Sequence, residues 1–377
     1  MLELLSSAWW TGPAEPMASV AGQLVARGHE VELAVERDRQ GNLAGRLAAL
    51  GLTVRGDVGL SRRAGPLAVA RDLVALRRLW GAFDVLHANF SNDHGLAWAA
   101  RPAGRHREGA RLVRTLHASR AVARRNLQGA LYRRTDGLVA VCHDHARLAV
   151  ERFRLPEERV LATRGAVDAA AFRPEGPDLR AELGLAAGQP VAGIVTRVKP
   201  GRRLEELVDA FRNVADRLPE ARLVVVGRGE GEAELRVRVA HRGLQEQVVW
   251  AGYRTGQALA AAYRTFDAVV LLAEGNDGTC RALLEGMACG RAGVAYRFGA
   301  PAEAVLDGTT GLLAPEGDVG ALADALGEVL AAPRRARALG AAARTRMVEG
   351  FTEEGRGEAV ERFLARIAAL PPAGRAA

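Results

Sequence analysis

The chain has 377 residues, of which 49% are hydrophobic and 25% are charged. This length accommodates two domains with sizeable cores, and no apolar run approaches the roughly 20 residues that cross a bilayer as a helix. The first residues, Met1-Leu-Glu-Leu-Leu-Ser6, lack the basic and apolar regions of a secretory signal. The three cysteines show no metal-ligand spacing and cannot all pair, which predicts a reducing cytoplasm. They are Cys142, Cys280 and Cys289.

Basic residues are concentrated in one part of the sequence. The formal net charge is +8, and residues 101–134 hold one acid, Glu108, and ten arginines: Arg101, Arg105, Arg107, Arg111, Arg114, Arg120, Arg124, Arg125, Arg133 and Arg134. Such a patch suits an anionic membrane surface or a phosphorylated acceptor, with Arg120, Arg124 and Arg125 as contact residues. A solvated face in an arginine-rich chain explains it equally well. Tyr132 is the only aromatic residue in this stretch, which argues against single-stranded nucleic acid as a partner.

The first half of the chain alternates short apolar runs with amphipathic segments, which predicts parallel strands joined by helices. The predicted strands are 2–8, 30–35, 84–88, 111–117 and 136–141, and the predicted helices are 14–27, 40–50, 65–80, 89–99 and 119–134. Parallel sheets bind ligands at the carboxyl ends of their strands. His87, Asn89 and His117 stand at such ends and are therefore candidate site residues.

The alternation starts again at residue 191, which predicts a second domain of the same class. Its predicted strands are 191–197, 222–227, 248–254, 268–273 and 291–296, and its later helices are 319–331, 334–348 and 353–370. The helix after the first of these strands carries a stripe with the 3.6-residue period of an amphipathic helix. That stripe consists of Leu204, Leu207, Val208, Phe211 and Val214.

The most informative stretch of this second half is a strand, loop and helix. The apolar run 268–273 is followed by the loop 274–278 and then by a helical pattern with Leu283, Leu284 and Met287 on one side. The predicted junction at Thr279 would expose unpaired N–H groups and a partial positive charge, which suit a phosphate. Glu285 follows about 9 Å further along the predicted helix at 1.5 Å per residue.

The spacing of Asp277 and Glu285 resembles the Glu-x7-Glu signature of retaining glycosyltransferases with the GT-B fold, in glycosyltransferase family 4. The resemblance implies that Glu285 holds the ribose hydroxyls of the donor and that the first acid touches the transferred sugar. Asp277 has the right spacing for the first acid, and Glu274 is the alternative. Three further residues would line the donor: Gly278, Thr279 and Cys280.

Other segments resemble the same family. Its members carry an Arg and, about five residues later, a Lys that together clamp the donor diphosphate. Arg197 matches the first, whereas either Arg202 or Lys199, the only lysine in the sequence, would serve as the second. Gly12 stands in the loop that corresponds to the family's glycine-rich loop, which approaches the donor diphosphate. His117 matches the strand-end histidine that lies beside the transferred sugar and its phosphate.

The resemblance implies an α/β protein with the GT-B fold: two Rossmann-like β/α/β domains that face each other across a cleft. Residues 1–185 would form an acceptor-binding domain, completed by a C-terminal helix that crosses back to it within 353–377. Residues 186–352 would form the nucleotide-sugar-binding domain.

The implied activity is hexosyl transfer, with retention of configuration, from a nucleotide-sugar to a hydroxyl of a glycan or glycolipid acceptor in cell-surface polysaccharide or lipopolysaccharide synthesis. No cofactor is implied. Because the sequence contains no Asp-x-Asp, we expect no metal in catalysis. The expected location is the cytoplasm, with peripheral contact to an anionic membrane.

Other functions remain open at this point. A GT-B-fold nucleotide-sugar epimerase or a phosphorylase would share this fold. The departures from the family pattern at Asp277, Gly12 and Arg202 are those expected of a sugar-nucleotide-binding module with a decayed catalytic site. An NAD-dependent enzyme is disfavoured, because no Gly-x-Gly-x-x-Gly follows the first strand.

Overall fold

The computed structural model describes residues 1–38, 40–102, 110–123, 127–274 and 280–373. The chain divides into two units. The first unit contains residues 1–164 and the chain from Glu353 onwards, and the second contains 165–274 and 280–352. Each unit has one parallel sheet with helices packed on it, which is the Rossmann-like arrangement predicted for both halves.

The first unit contains a seven-stranded parallel sheet. Its strands are β1 (Leu2–Leu5), β2 (Glu32–Val35), β3 (Thr53–Arg55), β4 (Val85–Ala88), β5 (Arg111–Leu116), β6 (Gly137–Ala140) and β7 (Val160–Ala162). Its helices before residue 165 are α1 (Ala14–Ala26), α2 (Leu43–Ala49), α3 (Pro66–Leu79), α4 (Ser91–Ala100), α5 (Arg120–Ala123), α6 (Leu127–Arg133) and α7 (His143–Phe153). The strand order is β3-β2-β1-β4-β5-β6-β7, so the order reverses between β1 and β4. Every residue of β1, β4, β5 and β6 is buried, as in parallel sheets covered on both faces.

The second unit repeats this topology with six strands. Its strands are β8 (Val191–Val195), β9 (Arg222–Val226), β10 (Val248–Gly252), β11 (Ala268–Leu271), β12 (Ala292–Tyr296) and β13 (Gly311–Ala314). Its helices are α8 (Leu204–Arg217), α9 (Glu232–His241), α10 (Gly256–Thr265), α11 (Arg281–Ala288), α12 (Gly299–Ala304), α13 (Val319–Ala331) and α14 (Pro333–Gly350). The order β10-β9-β8-β11-β12-β13 reverses between β8 and β11. The predicted stripe on α8 is buried in the core of this unit.

The last helix, α15 (Glu353–Ala369), belongs to the first unit, as predicted. Val360, Phe363, Leu364 and Ile367 bury their side chains in the same core as α1 and the sheet. The two helices approach closely at Gly357, where an added Cβ would lie 2.6 Å from Cβ of Gln23. The apolar face of α15 is therefore part of the core of the first unit.

The division between the units differs from the boundary predicted at residue 185. Residues 165–185 belong to the second unit, because their hydrogen bonds are made there. The Leu179 N–H donates to Thr265 Oγ1 over 2.9 Å, and Nε of Arg264 donates to the Arg173 carbonyl over 2.8 Å. This segment contains prolines and glycines typical of a linker, but its contacts attach it to α10.

Several predicted elements have different lengths in the structure. The first strand ends at Leu5 rather than Ala8, and the segment 119–134 contains two short helices, α5 and α6. The short edge strand β3 was not predicted, because its three residues are partly exposed and carry little apolar pattern.

Substitution of Phe363 tests the packing of α15. Phe363→Ala removes a side chain that is 2% exposed and should lower the free energy of unfolding by about 3–5 kcal/mol. Arg362→Ala is the matched control, because the neighbouring side chain is 72% exposed and its loss should cost no more than about 0.5 kcal/mol. Urea denaturation measures both values. Equal, small effects would contradict the role of α15 as a core element.

Candidate functional site

The connection between β8 and α8 carries the predicted diphosphate-binding cations at a strand end of the second unit. It packs against the turn after β9, where the Val198 N–H donates to the Arg228 carbonyl over 3.1 Å. This turn needs its glycines, because a Cβ at Gly227 would lie 1.8 Å from the Thr196 carbonyl oxygen and a Cβ at Gly229 would lie 2.0 Å from that of Val198. The glycine-rich turn therefore has a packing role, because it allows the loop after β9 to touch the loop after β8 at the carboxyl ends of these strands.

Arg197 lies on the surface and is paired with an acid of this turn. Its Nη2 is 2.9 Å from Oε2 of Glu230, and the two side chains are 60% and 56% exposed. A backbone hydrogen bond and the Arg197 guanidinium lower the pKa of Glu230 below its usual value. Lys199, the alternative cation, is half-buried in the same loop.

Arg202 connects this loop to the segment that follows β11. Its Nη1 donates to the carbonyl oxygen of Glu274 over 2.7 Å, although the two residues are 72 positions apart in the sequence. Glu274 is the alternative first acid. The structure therefore brings one predicted clamp residue to the start of the predicted donor loop. Asp277, Gly278 and Thr279 lie outside the described residues.

Glu285 lies one turn into α11, which begins at Arg281. Its carboxylate is buried and accepts a hydrogen bond of 2.7 Å from the Tyr263 hydroxyl, and Nε of Arg281 lies 3.8 Å away. Burial, together with the negative charge of Glu285, raises the pKa of Tyr263 well above its usual value, so the hydroxyl stays protonated and donates. Cys280, just before the helix, is buried and has a left-handed backbone conformation with φ of 49°.

Tyr263 was missed by the sequence analysis. It follows three alanines on α10, a pattern that indicates only a buried helix face. Its ring packs edge-on against Phe172 and Phe266, with centroid distances of 5.9 and 6.0 Å. These ring contacts fix the position of the Tyr263 hydroxyl, which donates the hydrogen bond to Glu285.

In the first unit, the candidate residues His87, Asn89 and His117 lie together at the ends of β4 and β5. His117 Nε2 is 3.2 Å from Asn89 Oδ1, and Asn89 Nδ2 is 2.8 Å from Glu3 Oε2. Glu3, from β1, also lies 2.9 Å from Nδ1 of His87. Glu3 was not predicted, because a single acid in an apolar strand does not reveal its partners. Gly12 lies in the turn before α1 and is half-buried.

A second buried polar cluster lies beside the first. Asp93 is fully buried and accepts hydrogen bonds from the backbone N–H groups of Asn89 and Phe90, each over 3.0 Å. Burial raises its pKa, and the opposing charge of Arg114 limits the rise. His94 Nε2 lies 2.8 Å from the Thr135 hydroxyl. Burial and the Arg114 charge lower the pKa of His94 to about 3, so its ring is neutral.

The predicted basic patch is not a continuous surface. Arg111 and Arg114 lie in the central strand β5 and are 7% and 4% exposed, which corrects their assignment to the patch. Arg111 donates to the Leu370 carbonyl over 3.0 Å, and Arg101 pairs with Asp136 over 3.0 Å. The number of charges in a stretch of sequence does not indicate burial, and β5 is covered on both faces of the sheet.

The three arginines predicted to contact an anionic surface are only partly described. Arg120 is the first residue of α5, and its side chain is not among the described ones. Arg124 and Arg125 lie outside the described residues. Their role stays a prediction.

Within the described ranges, no group of three or more His, Cys, Asp and Glu side chains could hold a metal ion. No helix in the same part of the chain is both long and apolar enough to cross a membrane. Independence of metals stays a prediction.

Two protein-family models match the chain. One is Glycosyltransferase Family 4 over residues 14–170, and the other is Glycosyl transferases group 1 over residues 176–346. The two matches meet between residues 170 and 176, close to the division between the units. The two matches confirm the predicted family.

Similar curated proteins and solved structures agree with this match. The D-inositol 3-phosphate glycosyltransferase of Nocardia farcinica is 28% identical over 286 residues, 70% of this chain and 62% of that protein. The GDP-mannose-dependent alpha-(1-6)-phosphatidylinositol monomannoside mannosyltransferase of Mycolicibacterium smegmatis is 31% identical over 207 residues, 52% of this chain and 54% of that protein. The chain thus spans less than two thirds of these relatives.

A crystal structure of Anabaena HepE in complex with UDP and glucose has a TM-score of 0.79 and 19% sequence identity, and covers 97% of this chain and 99% of that one. This likeness concerns the fold and confirms the predicted GT-B class.

The neutral state of His94 has a consequence for acid stability. A folded pKa of about 3 lies below the ordinary value of 6.5, so the unfolded chain takes up a proton first as the pH falls. The stability due to neutral His94 is complete above pH 6.5 and is lost toward pH 3, at up to about 1.4 kcal/mol per pH unit. In His94→Gln, the free energy of unfolding, measured in urea between pH 7 and roughly 4.5, should fall less steeply than in the parent protein. Parallel curves would contradict the buried neutral ring.

Proposed function

Because the chain belongs to the group 1, family 4 glycosyltransferases, we propose that it transfers a hexose, with retention of configuration, from a nucleotide-sugar to a hydroxyl of a glycan or glycolipid acceptor. The observation that carries this proposal is the hydrogen bond from Arg202 to the Glu274 carbonyl. It joins the predicted cation loop to the predicted donor loop at the strand ends where parallel sheets bind ligands.

The donor diphosphate would bind to the cations of the β8–α8 connection. A diphosphate leaving group gains negative charge as the glycosidic bond breaks, and fixed positive groups nearby stabilise that charge. Arg202 is held in place by Glu274, and its planar guanidinium suits bidentate phosphate binding. Arg197 is exposed, and in the proposed complex its guanidinium exchanges Glu230 for a phosphate oxygen. Lys199 is the alternative partner.

Glu285 would accept hydrogen bonds from the ribose hydroxyls. The Tyr263 hydroxyl occupies one carboxylate oxygen, Oε2, and so fixes the orientation of the group. The sugar would lie toward Asp277 or Glu274, with an oxocarbenium-like transition state. The reaction needs no cofactor or metal in this proposal.

The names of the relatives suggest an acceptor class. One acts on D-inositol 3-phosphate and the other on a phosphatidylinositol monomannoside. A phosphorylated inositol, free or in a glycolipid, is therefore the first acceptor to test. We place the reaction in the cytoplasm, at an anionic membrane surface, as part of cell-surface glycan synthesis.

Helix α3 provides an exposed face that fits such a membrane. Leu67 and Val74 are 79% and 53% exposed, although both are apolar. Arg71 and Arg78 are exposed at the i+4 spacing from each of them, which places all four on one side of the helix. The only acid of the helix, Asp72, is turned inward and accepts from the Gly59 and Leu60 N–H groups. This face is therefore basic and apolar, as in helices that bind anionic lipid.

Donor binding tests the proposed function. We expect one of UDP-, GDP-, ADP- and dTDP-sugars to bind by calorimetry, with the same affinity in EDTA and in magnesium. Glu285→Gln removes a charged acceptor and should weaken that binding about 10- to 100-fold. Glu246→Gln, at an exposed position outside the site, is the matched control and should bind like the parent.

Three results separate the proposal from its competitors. Unchanged affinity in Glu285→Gln would refute the ribose assignment. Donor binding without transfer to any acceptor would favour a binding module. Donor turnover to an epimer or with inorganic phosphate would favour an epimerase or a phosphorylase.

Membrane binding is tested on α3. Leu67→Glu combined with Val74→Glu should reduce co-sedimentation with phosphatidylglycerol vesicles about tenfold or more, because two apolar contacts are lost and charge repulsion is added. Val237→Glu in the second unit, where the side chain is 57% exposed, is the matched control. If the double variant binds vesicles as the parent does, α3 is not the contact surface.

A further inference from the structure

The orientation of the Asn89 amide follows from its two neighbours. Asn89 Nδ2 lies 2.8 Å from Glu3 Oε2 and 3.2 Å from the Leu4 carbonyl oxygen. A carboxylate and a carbonyl only accept hydrogen bonds, so both require the NH₂ group of the amide. The amide oxygen Oδ1 therefore faces His117 Nε2, at 3.2 Å.

This orientation determines the tautomer of His117. An amide oxygen only accepts, so Nε2 of His117 must carry the hydrogen in that contact. Burial, with Arg114 and His87 nearby, holds the pKa of His117 well below its ordinary value. The ring is neutral, and its other nitrogen, Nδ1, carries a lone pair rather than a proton.

The lone pair on Nδ1 needs a donor. His117 is 8% exposed, and its Nδ1 has no hydrogen-bond partner among the described residues. A buried polar atom without a partner is costly, so such an atom points to a ligand or water. His117 lines a small cavity of about 40 Å³ together with Thr115, Thr163 and Arg356.

We propose that Glu3 and Asn89 are positioning residues that fix His117 as a hydrogen-bond acceptor, so that the substrate group it binds is a hydroxyl. A lone pair repels an anionic oxygen but accepts the proton of a sugar or acceptor hydroxyl in a hydrogen bond. This inference rests on the proposed function for the identity of the ligand, and it replaces the expected phosphate contact of His117 with a hydroxyl contact.

The Glu3 carboxylate and the Leu4 carbonyl together make the arrangement directional. An ionised carboxylate can only accept, so Asn89 cannot turn its oxygen toward Glu3. In Glu3→Gln the new amide can donate, and Asn89 is then able to turn its NH₂ group toward His117. That reversal would place the proton of His117 on Nδ1.

Nitrogen-15 NMR of histidine-labelled protein without ligand tests the tautomer directly. The parent should show His117, identified by its absence in His117→Gln, as a neutral ring protonated at Nε2. Asn89→Leu and Glu3→Gln should convert this signal to a mixture of tautomers. Asn92→Leu is the matched control, because its amide donates to the Leu60 carbonyl over 3.3 Å, and its spectrum should match that of the parent.

The tautomer of the parent protein is the first result, and only His117→Gln is needed to identify its signal. An Nδ1-protonated or charged His117 in the parent would overturn the proposal. So would an unchanged tautomer in both Asn89→Leu and Glu3→Gln. Because no ligand is present, these results do not depend on whether a nucleotide-sugar binds to the second unit.

Kinetics test the hydroxyl contact. In Asn89→Leu, kcat/KM should fall about five- to tenfold, the value of one lost hydrogen bond, with affinity for the bare nucleoside diphosphate unchanged. His117→Gln should likewise leave the diphosphate affinity unchanged. An equal fall in diphosphate affinity in these variants would mean that His117 contacts phosphate, which overturns the hydroxyl assignment.

Discussion

The reversal of strand order in each parallel sheet is the constraint on which the rest of the protein depends. Where the order reverses, the chain leaves two adjacent strands toward opposite faces, and the loops at their carboxyl ends separate. In the second unit, the pairing of β8 with β11 brings Arg202 to Glu274, which are 72 positions apart. In the first unit, the pairing of β1 with β4 brings Glu3 to Asn89, which are 86 positions apart. Both candidate site regions are therefore consequences of topology.

The candidate residues of the first unit are buried, whereas one predicted cation of the second unit is exposed. In the first unit, the carboxylates of Glu3 and Asp93 are buried, and unpaired burial of such groups is costly. Each accepts at least two hydrogen bonds, which offset that cost and hold the neighbouring side chains in one arrangement. In the second unit, Arg197 is exposed and can change partners. A rigid site suits recognition of neutral hydroxyls, whereas exposed cations suit a diphosphate that arrives with its own charge.

The sequence predicted the fold well because burial leaves a periodic pattern. The stripe on α8 and the continuous apolar strands predicted two parallel α/β units, and the resemblance around Glu285 predicted GT-B. Element ends were less predictable, because Ser6, Ser7 and Ala8 after β1 include no glycine or proline that would mark the end of the strand. The boundary at residue 185 differed from the structure because linker-like composition does not exclude specific packing against α10.

The site was only partly predictable, and the omissions have a common cause. Tyr263 and Glu3 are far in sequence from the residues they orient, so their partners appear only once strands and helices are packed. Arg111 and Arg114 were assigned to a surface because charge is usually exposed. Their burial depends on β5 being a central strand. Sequence patterns thus predicted candidate ligand-binding groups, but not the residues that hold those groups in place.

Hydrogen exchange with and without the tightest-binding nucleotide-sugar tests the central claim most directly. The claim is that the donor binds to the loops after β8 and β11, the two strands between which the strand order of the second unit reverses. Peptides that cover 196–203 and 280–289 should exchange more slowly in the presence of donor, whereas α9 should be unaffected. Protection confined to other segments, or no protection at saturating donor, would contradict this account.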